Sequence, residues 1–400
     1  MVDSAQLAIY YPHTVEGSLG SFRRVKEITE ELSVKSGQKI PIYTPFERAT
    51  KTKEGLTFHP LSKFRGELDF FYDLIKSAYY NPLLSNALLP KILVSMSKFS
   101  SKEFVKQITK RQLRAIQAEH DVSLPIAIRV GQELDLPVIA DIHNITAEEL
   151  VAKRCLKRGS QSFANIQSIV GACLARCELV VVVSELMKDY VVNTYSLDKN
   201  KIIIVPPAGK PRSHNPYHGT LNVVYAGTVS YREHVDLFVR STKYVNCESA
   251  QFYMTAKGED LKKIVRLVKS LKTRINTFWL PNENDLFNFL SICSVGVLTS
   301  SNDLARKMGT PIKLFDYMTA GLPLVVNDIG AWSSLVKDEK IGLLTGDDPM
   351  ELANAISSLL QDPLLLEEIS KKELLLIRRN YNWTNAVRPL YEWYKKKGIL

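Results

Sequence analysis

Short apolar runs alternate with helical stretches along this 400-residue chain. LAIYY (7–11), RAIQAE (114–119), PVIADIH (137–143) and LVVVVS (179–184) punctuate the first half, and LNVVYAG, AQFYMTA, INTFWL, VGVLTS and LPLVVN the second. Parallel strands need crossover connections, usually helices, so this alternation predicts an α/β fold with doubly wound parallel sheets. A chain this long exceeds one ordinary core and suits two domains of about 200 residues each. The segment PRSHNPYHGT (211–220), rich in proline, glycine and polar residues, reads as the linker. The expected organisation is a first Rossmann-like domain over 1–213, a second over 214–380, and a C-terminal helix over 381–400 that returns to the first. The two doubly wound domains are expected to face each other across a cleft, with ligands beyond the carboxyl ends of the strands.

The segment GTPIKLFDYMTAGLPLVV (309–326) reads as a short helix followed by a strand. Thr310 is the expected cap, Pro311 suits the first helical position, and Gly321 is the left-handed stop. Ile312, Leu314, Phe315 and Met318 fall on one side, and Lys313, Asp316, Tyr317 and Ala320 on the other. Lys313 stands in the positive end of the helix dipole, where a cation is mildly disfavoured unless an anion joins it. Two readings stand at this point: a phosphate seat at the helix N-terminus, or a solvated lysine that swings away.

Charge and composition exclude several classes. The N-terminus lacks a basic stretch leading into an apolar run, and no window approaches the ~20 apolar residues of a membrane span. A cytoplasmic protein is expected, with its five cysteines reduced and no metal-ligand spacing among them. The net charge of +10 is uneven, +7 over residues 1–217 and +3 over the rest. Within 81–116, seven cations face one acid, Glu103. SSKEFVKQITKRQLRAI offers a capping box at Ser100 and Glu103, then a helix with Lys102, Lys106, Lys110 and Arg114 in one stripe and Phe104, Val105 and Ile108 roughly opposite. Such a helix suits either an anionic membrane surface, with the protein peripheral at its cytoplasmic face, or plain solvent. No nucleic-acid-binding motif is present, so nucleic acid is not an expected partner.

Several candidate site residues fall at strand ends. The glycines of EGSLG, Gly17 and Gly20, follow the first strand, where backbone N–H groups can meet a phosphate or sugar oxygen. His120 ends RAIQAEH. His143 ends PVIADIH, followed by Asn144, Glu148 and Glu149. Arg232 and His234 follow LNVVYAG, where an anion would sit, and Trp279 ends INTFW, where it can flank a nucleobase or pack in the core. A histidine at a strand end can equally be a satisfied structural residue.

The segment PIKLFDYMTAGLPLVV, continued by NDIGAWSSLVKDEKIGLLTGDDPMELANAISSLLQD, resembles the donor-binding region of the family-four retaining glycosyltransferases with the GT-B fold, the glycosyl transferases group 1. EGSLGSFRRVKEITEEL resembles that family's glycine loop and helix, IQAEHDVSLPIAI its histidine-bearing strand end, and VVYAGTVSYREHVDLFVRS the opening of its donor domain. The likeness spans nearly the whole chain except residues 45–115. It implies a glycosyltransferase that moves a sugar from a nucleotide diphosphate sugar to a hydroxyl of a glycan, lipid-linked or other acceptor, with retention, without a metal and with no cofactor. The absence of an Asp-x-Asp pair agrees with the metal-free expectation. The resemblance makes His120 the residue that contacts the transferred sugar. It sets Gly17, Gly20, Gly309, Thr310 and Lys313 beside the phosphates or sugar, and makes Asp316 the carboxylate for the ribose hydroxyls. His143 and Glu148 are the acceptor-side candidates.

The chain also departs from the family pattern. The first of two glutamates usually separated by seven residues is replaced by Met308, and the second by Asp316. Thr228 and Glu233 stand where an arginine and a lysine are usual, leaving Arg232, His234 or Lys313 to supply the positive charge. These replacements keep a second reading in play, a non-catalytic GT-B-fold binding or scaffolding subunit. A nicotinamide-dependent dehydrogenase fits less well, since no Gly-x-Gly-x-x-Gly follows any strand.

Overall fold

The computed structural model describes residues 6–400 apart from 14–18, 46, 48, 62–76, 78–80, 110 and 214–218. The expectations placed on Gly17, on Lys110 and on the middle of the 211–220 linker lie outside the described residues. The chain divides into two compact units, Met1–Pro206 with Ala386–Leu400, and Pro207–Asn385.

The first unit is built on β1 (Leu7–Tyr10), β2 (Ile42–Thr44), β3 (Lys51–Lys53), β4 (Leu56–Pro60), β5 (Ala115–Glu119), β6 (Val138–Ile142), β7 (Leu179–Val182) and β8 (Ile202–Ile204). Their order is β3-β4-β2-β1-β5-β6-β7-β8, parallel except where β3 pairs with β4. Every residue of β1, β5, β6 and β7 is buried, which is why these runs carry little polar alternation. β2, β3 and β4 escape the sequence reading because they are short or only half apolar. Glu54 and Gly55 both take positive φ, 50° and 83°, and turn β3 back on β4 as a tight hairpin. Lysines at both ends of β3 suit an edge strand, where charge deters further pairing. The last segment of the chain packs here: Tyr394 Oη donates to Gln117 Oε1 at 2.7 Å, and Arg114 donates to the Gly398 carbonyl at 2.6 Å.

The basic segment is organised differently from expectation. One helix runs unbroken from Leu89 to Ile108, with Pro90 in its first turn, so Ser100 and Glu103 do not begin it. Leu89, Ile92, Leu93, Ser97, Ser100, Ser101, Phe104 and Ile108 are buried at three- and four-residue spacing, which makes this face the inner one and places Ser100 in mid-helix. Lys91, Lys98, Lys102 and Lys106 lie on the exposed face. Arg114 lies beyond the helix end and is not part of that stripe.

The second unit carries β9 (Asn222–Thr228), β10 (Gln251–Lys257), β11 (Ile275–Phe278), β12 (Val295–Leu298), β13 (Leu324–Asn327) and β14 (Gly342–Thr345). All pair in parallel, in the order β11-β10-β9-β12-β13-β14. Numbered within the unit this is 3-2-1-4-5-6, the order of dinucleotide-binding sheets, whose ligands lie at the reversal between first and fourth strands. Here the reversal falls between β9 and β12. In the first unit the strand order reverses between β1 and β5. Val223, Tyr225, Val297, Phe315 and Trp332 are among the buried side chains that fill the second core.

Candidate functional site

At the β9–β12 reversal the chain builds a cationic cluster. β9 runs into a 3-10 turn, Tyr231–Glu233, which is tied to the segment after β12. Thr299 Oγ1 donates to the Glu233 carbonyl at 2.7 Å, and the Ser301 amide donates to the Arg232 carbonyl at 2.9 Å. Arg306 sits in the short helix Leu304–Met308, capped by Asp303. It donates from Nε to Ser300 Oγ at 2.8 Å and from Nη2 to Glu233 Oε1 at 2.8 Å. Lys313 donates to Glu233 Oε2 at 2.5 Å and to Tyr225 Oη at 3.1 Å, and its Nζ lies 4.8 Å from the Tyr225 ring centroid. Burial alone would raise the Glu233 carboxyl, but Arg306 and Lys313 overcome it and hold it down at about 2. Burial lowers the Lys313 ammonium, and Glu233 opposes that. One anion and two cations leave the trio net positive, with Arg232 adding to it, a field that attracts an anion.

Gly227 lets Lys313 reach this place. Its φ is +144°, and a Cβ there would stand 2.9 Å from Lys313 Nζ. The helix itself, Ile312–Thr319, starts one residue later than expected: Pro311 is the capping residue in extended geometry, and no side chain caps it, so Thr310 does not play that part. Gly321 takes φ +61°, the left-handed stop the sequence predicts. Leu314, Phe315 and Met318 are core, while Tyr317 and Ala320, expected on a polar side, are also buried because the helix packs on β9 and β12. Tyr317 Oη accepts from the Ala226 amide at 2.7 Å. Lys313 does not swing away into solvent, its side chain being only 13% exposed.

The first unit brings three histidines together. His120, just after β5, adopts φ 75°, an uncommon conformation for a residue with a side chain, immediately before a 3-10 turn at Asp121–Ser123. Its Nδ1 lies 2.9 Å from Asp121 Oδ1, and Asn144 Nδ2 lies 3.3 Å from Nε2. These partners define the tautomer: Nδ1–H donates to Asp121 and Nε2 accepts. Asp121 is fixed in turn by the Thr146 amide at 2.8 Å and the Thr146 hydroxyl at 2.5 Å. His13, beyond β1, and His143, beyond β6, stand edge-on to His120 with ring centroids at 5.4 and 5.2 Å. Burial, then the neighbouring histidines, push His13 down to about 3, and burial also lowers His143, so both are neutral near pH 7.

Beneath the histidines, Arg24 forms a two-pronged pair with Asp141, Nε to Oδ1 and Nη2 to Oδ2, both at 3.0 Å, and donates to the Val205 carbonyl at 2.9 Å. Burial works to raise the Asp141 carboxyl, and Arg24 with His143 overcomes it and holds it below the usual range. Burial, then the charge on Asp141, raises Glu119 well above that range. Glu119, Asp141 and His143 place potential metal-ligand atoms within 4.8 Å of one another among the described residues. The guanidinium engages both Asp141 oxygens and adds positive charge, a donor set that favours an internal ion pair over a divalent cation.

Residues 209–374 match the family model of glycosyl transferases group 1. That match falls within the second unit and covers most of it. Over 141 residues the chain is 27% identical to the chitobiosyldiphosphodolichol beta-mannosyltransferase of Candida albicans, covering 34% of this chain and 30% of that protein. Over 183 residues it is 23% identical to the alpha-D-kanosaminyltransferase of Streptomyces kanamyceticus, covering 44% and 46%. The chain thus spans less than half the length of these two curated relatives. In structure it is similar to sucrose-phosphate synthase from Thermosynechococcus elongatus, with a TM-score of 0.76, 15% identity, and coverage of 98% and 99% of the two chains. The fold is GT-B, with a Rossmann-like sheet in each unit.

In the second unit, Gly309 and Thr310 form the extended link between helices Leu304–Met308 and Ile312–Thr319, and Asp316 lies half-buried one turn after Lys313. Lys313, one of the three residues the sequence offers for the missing positive charge, meets Glu233 together with Arg306, which the sequence does not single out, and Met308 is buried. Arg232 contributes its carbonyl to the β12 segment, and His234 takes φ 47° at the start of the next helix. Trp279 lies half-buried under Lys257, whose Nζ is 4.7 Å from its ring centroid. In the first unit, Gly20 is exposed in the first turn of helix Leu19–Ser36. His143 Nε2 meets Ser21 Oγ at 3.3 Å. Glu148 is buried between Arg158 and Tyr190, whose hydroxyl donates to it at 3.0 Å, so it serves an internal pair. The sequence reading missed Arg306, His13 and Asp121. The adjacency of Asp121 to His120 was the available signal for one of them.

Proposed function

We propose that this protein is a glycosyltransferase that moves a sugar from a nucleotide diphosphate sugar to an acceptor hydroxyl. The observation that carries the reading is the convergence of Lys313 and Arg306 on Glu233 at the switch point of a sheet within the group 1 match. Cleavage of the sugar–phosphate bond leaves negative charge on the departing diphosphate and oxocarbenium character on the sugar. Cations and helix N–H groups fixed in advance at the diphosphate lower that barrier. Asp316 receives the ribose hydroxyls. His120 contacts the transferred sugar, its Nε2 held as an acceptor by Asp121. No metal is required for this assignment, because the chain's own cations meet the leaving group.

The finer parts are retention of configuration and a lipid-linked acceptor. One relative is named a beta-transferase and the other an alpha-transferase, so retention is decided by comparing the product's anomeric configuration with the donor's. The beta-mannosyltransferase's name includes a diphosphodolichol, and the Lys91, Lys98, Lys102 and Lys106 face offers this chain a way to a lipid-borne acceptor. Near an anionic bilayer each such cation contributes about 1 kcal/mol. Among the described residues no helix is long and apolar enough to cross a membrane.

The test is a screen of UDP-, GDP-, ADP- and dTDP-sugars for donor hydrolysis and transfer, with the product anomer read by NMR. Binding of nucleoside diphosphates with neither hydrolysis nor transfer would favour the binding-subunit reading. Sedimentation with anionic vesicles at low salt tests the lipid part, and protein that stays in the supernatant overturns it.

A further inference from the structure

Glu233 places a carboxylate in a site that otherwise suits an anion, and its geometry gives it a purpose. Its two oxygens are divided between two cations, Oε1 to Arg306 at 2.8 Å and Oε2 to Lys313 at 2.5 Å. We propose that Glu233 is a positioning residue for the donor's diphosphate, holding the Lys313 ammonium and Arg306 guanidinium side by side as a two-cation clamp. The inference rests on the nucleotide-sugar reading above.

Two like charges on long side chains would otherwise separate, since their repulsion grows as the surroundings exclude water. Glu233 is suited to prevent this because its backbone is anchored at both polar groups. The amide donates to the Ser230 carbonyl at 3.0 Å, and the carbonyl accepts from Thr299 Oγ1 at 2.7 Å. The carboxylate side chain is 7% exposed, against 18% for Arg306 and 13% for Lys313, so the anion sits deeper than the cations it holds. Gly227 clears the path by which the lysine arrives, and the Tyr225 hydroxyl gives its Nζ a second partner.

The arrangement also bears on the charge of the lysine. The charged groups that act on Lys313 are Glu233, Arg306 and Asp316, with burial as the largest influence and Glu233 the strongest force opposing it. Without Glu233 the buried ammonium would lose its proton at lower pH and with it much of its hold on phosphate.

The experiment compares wild type, E233Q and E233D. Titration calorimetry with UDP, GDP, ADP and dTDP from pH 6 to 9 measures affinity. NMR of lysines labelled with 13C at Cε follows Lys313, assigned by its loss in K313R. At pH 6, where Lys313 keeps its proton, E233Q should bind at least about threefold more weakly than wild type because the clamp is no longer held, and at pH 9 at least about tenfold more weakly, with E233D close to the wild-type profile. The Lys313 titration should move to lower pH in E233Q only. Equal or tighter binding by E233Q across the whole range, or an unmoved Lys313 titration, would overturn the proposal. If the wild type binds none of the four nucleotides, the nucleotide-sugar reading fails, while the Lys313 titration still decides what Glu233 does to its partner.

Discussion

Asp121 Oδ1 stands 2.9 Å from Nδ1 of the histidine that precedes it, and the same oxygen accepts from the Thr146 hydroxyl at 2.5 Å. A carboxylate shared in this way fixes the ring's orientation and its tautomer together. In Asp121→Asn the amide can present an N–H to Nδ1 and favour the opposite tautomer, as happens when the acid of a catalytic triad is amidated. Transfer should fall at least about tenfold, with nucleoside diphosphate affinity unchanged, because Asp121 and Asn144, which hold the His120 ring, belong to the first unit and the diphosphate cations to the second. His120→Ala should show the same split. Steady-state rates beside calorimetric binding check both, and parallel losses would mean a structural histidine.

Lys313→Ala and Arg306→Ala should each weaken nucleoside diphosphates by tenfold or more while leaving the bare nucleoside nearly untouched, since a hydrogen bond to a charged group is worth about 1.5–3 kcal/mol. Asp316→Ala should weaken every ribose-containing ligand, nucleoside included. Competition binding with a nucleoside, its diphosphate and free pyrophosphate separates the two patterns.

Arg24→Met would leave Asp141 buried without its partner, a change that costs about 3–5 kcal/mol. Asp141→Asn in the same chain should recover part of it. The pH dependence follows from the sign of the shift: the folded carboxyl lies below its unfolded value of 3.8, so the pair's contribution is present above about pH 4 and is lost as pH falls through the folded value. Urea unfolding of wild type and Arg24→Met should therefore differ most at neutral pH and converge in acid.

Glu373 predicts the opposite slope. It is fully buried in helix Pro363–Arg379, neither oxygen has a hydrogen-bond partner among the described residues, and burial raises its carboxyl well above 4.5. A raised acid holds its proton in the folded state after the unfolded chain has released it, so stability falls as pH rises above about 4.5. Glu373→Gln should leave stability near pH 4.5 unchanged and increase it at pH 8. Thermal unfolding at the two pH values checks this, and an equal effect at both would point to packing.

The alternating apolar runs made the two parallel sheets legible, because buried strands such as β6 and β7 leave an unbroken signal. The edge hairpin at Lys51–Pro60 was not legible, since alternation there is interrupted by the very lysines that protect the edge. Lys313 could be singled out from the helix dipole alone. Its partner Glu233 lies 80 residues away, and the departure at that position shows its sense only when the two side chains are seen to meet. The long helix Leu89–Ile108 was misread because Ser100 and Glu103 imitate a start, whereas burial of Leu89, Ile92 and Leu93 carries the helix through them.

The close approach of Lys313 to the backbone at Gly227 joins two constraints of unequal strength. A Cβ at 227 would meet the lysine's ammonium at 2.9 Å, a contact that a flexible side chain can relieve, whereas the φ of +144° disfavours any side chain there whether or not the lysine remains. Among descendants of this chain the glycine should therefore outlast the lysine, so a lineage that has given up the cation still carries the gap through which it once reached.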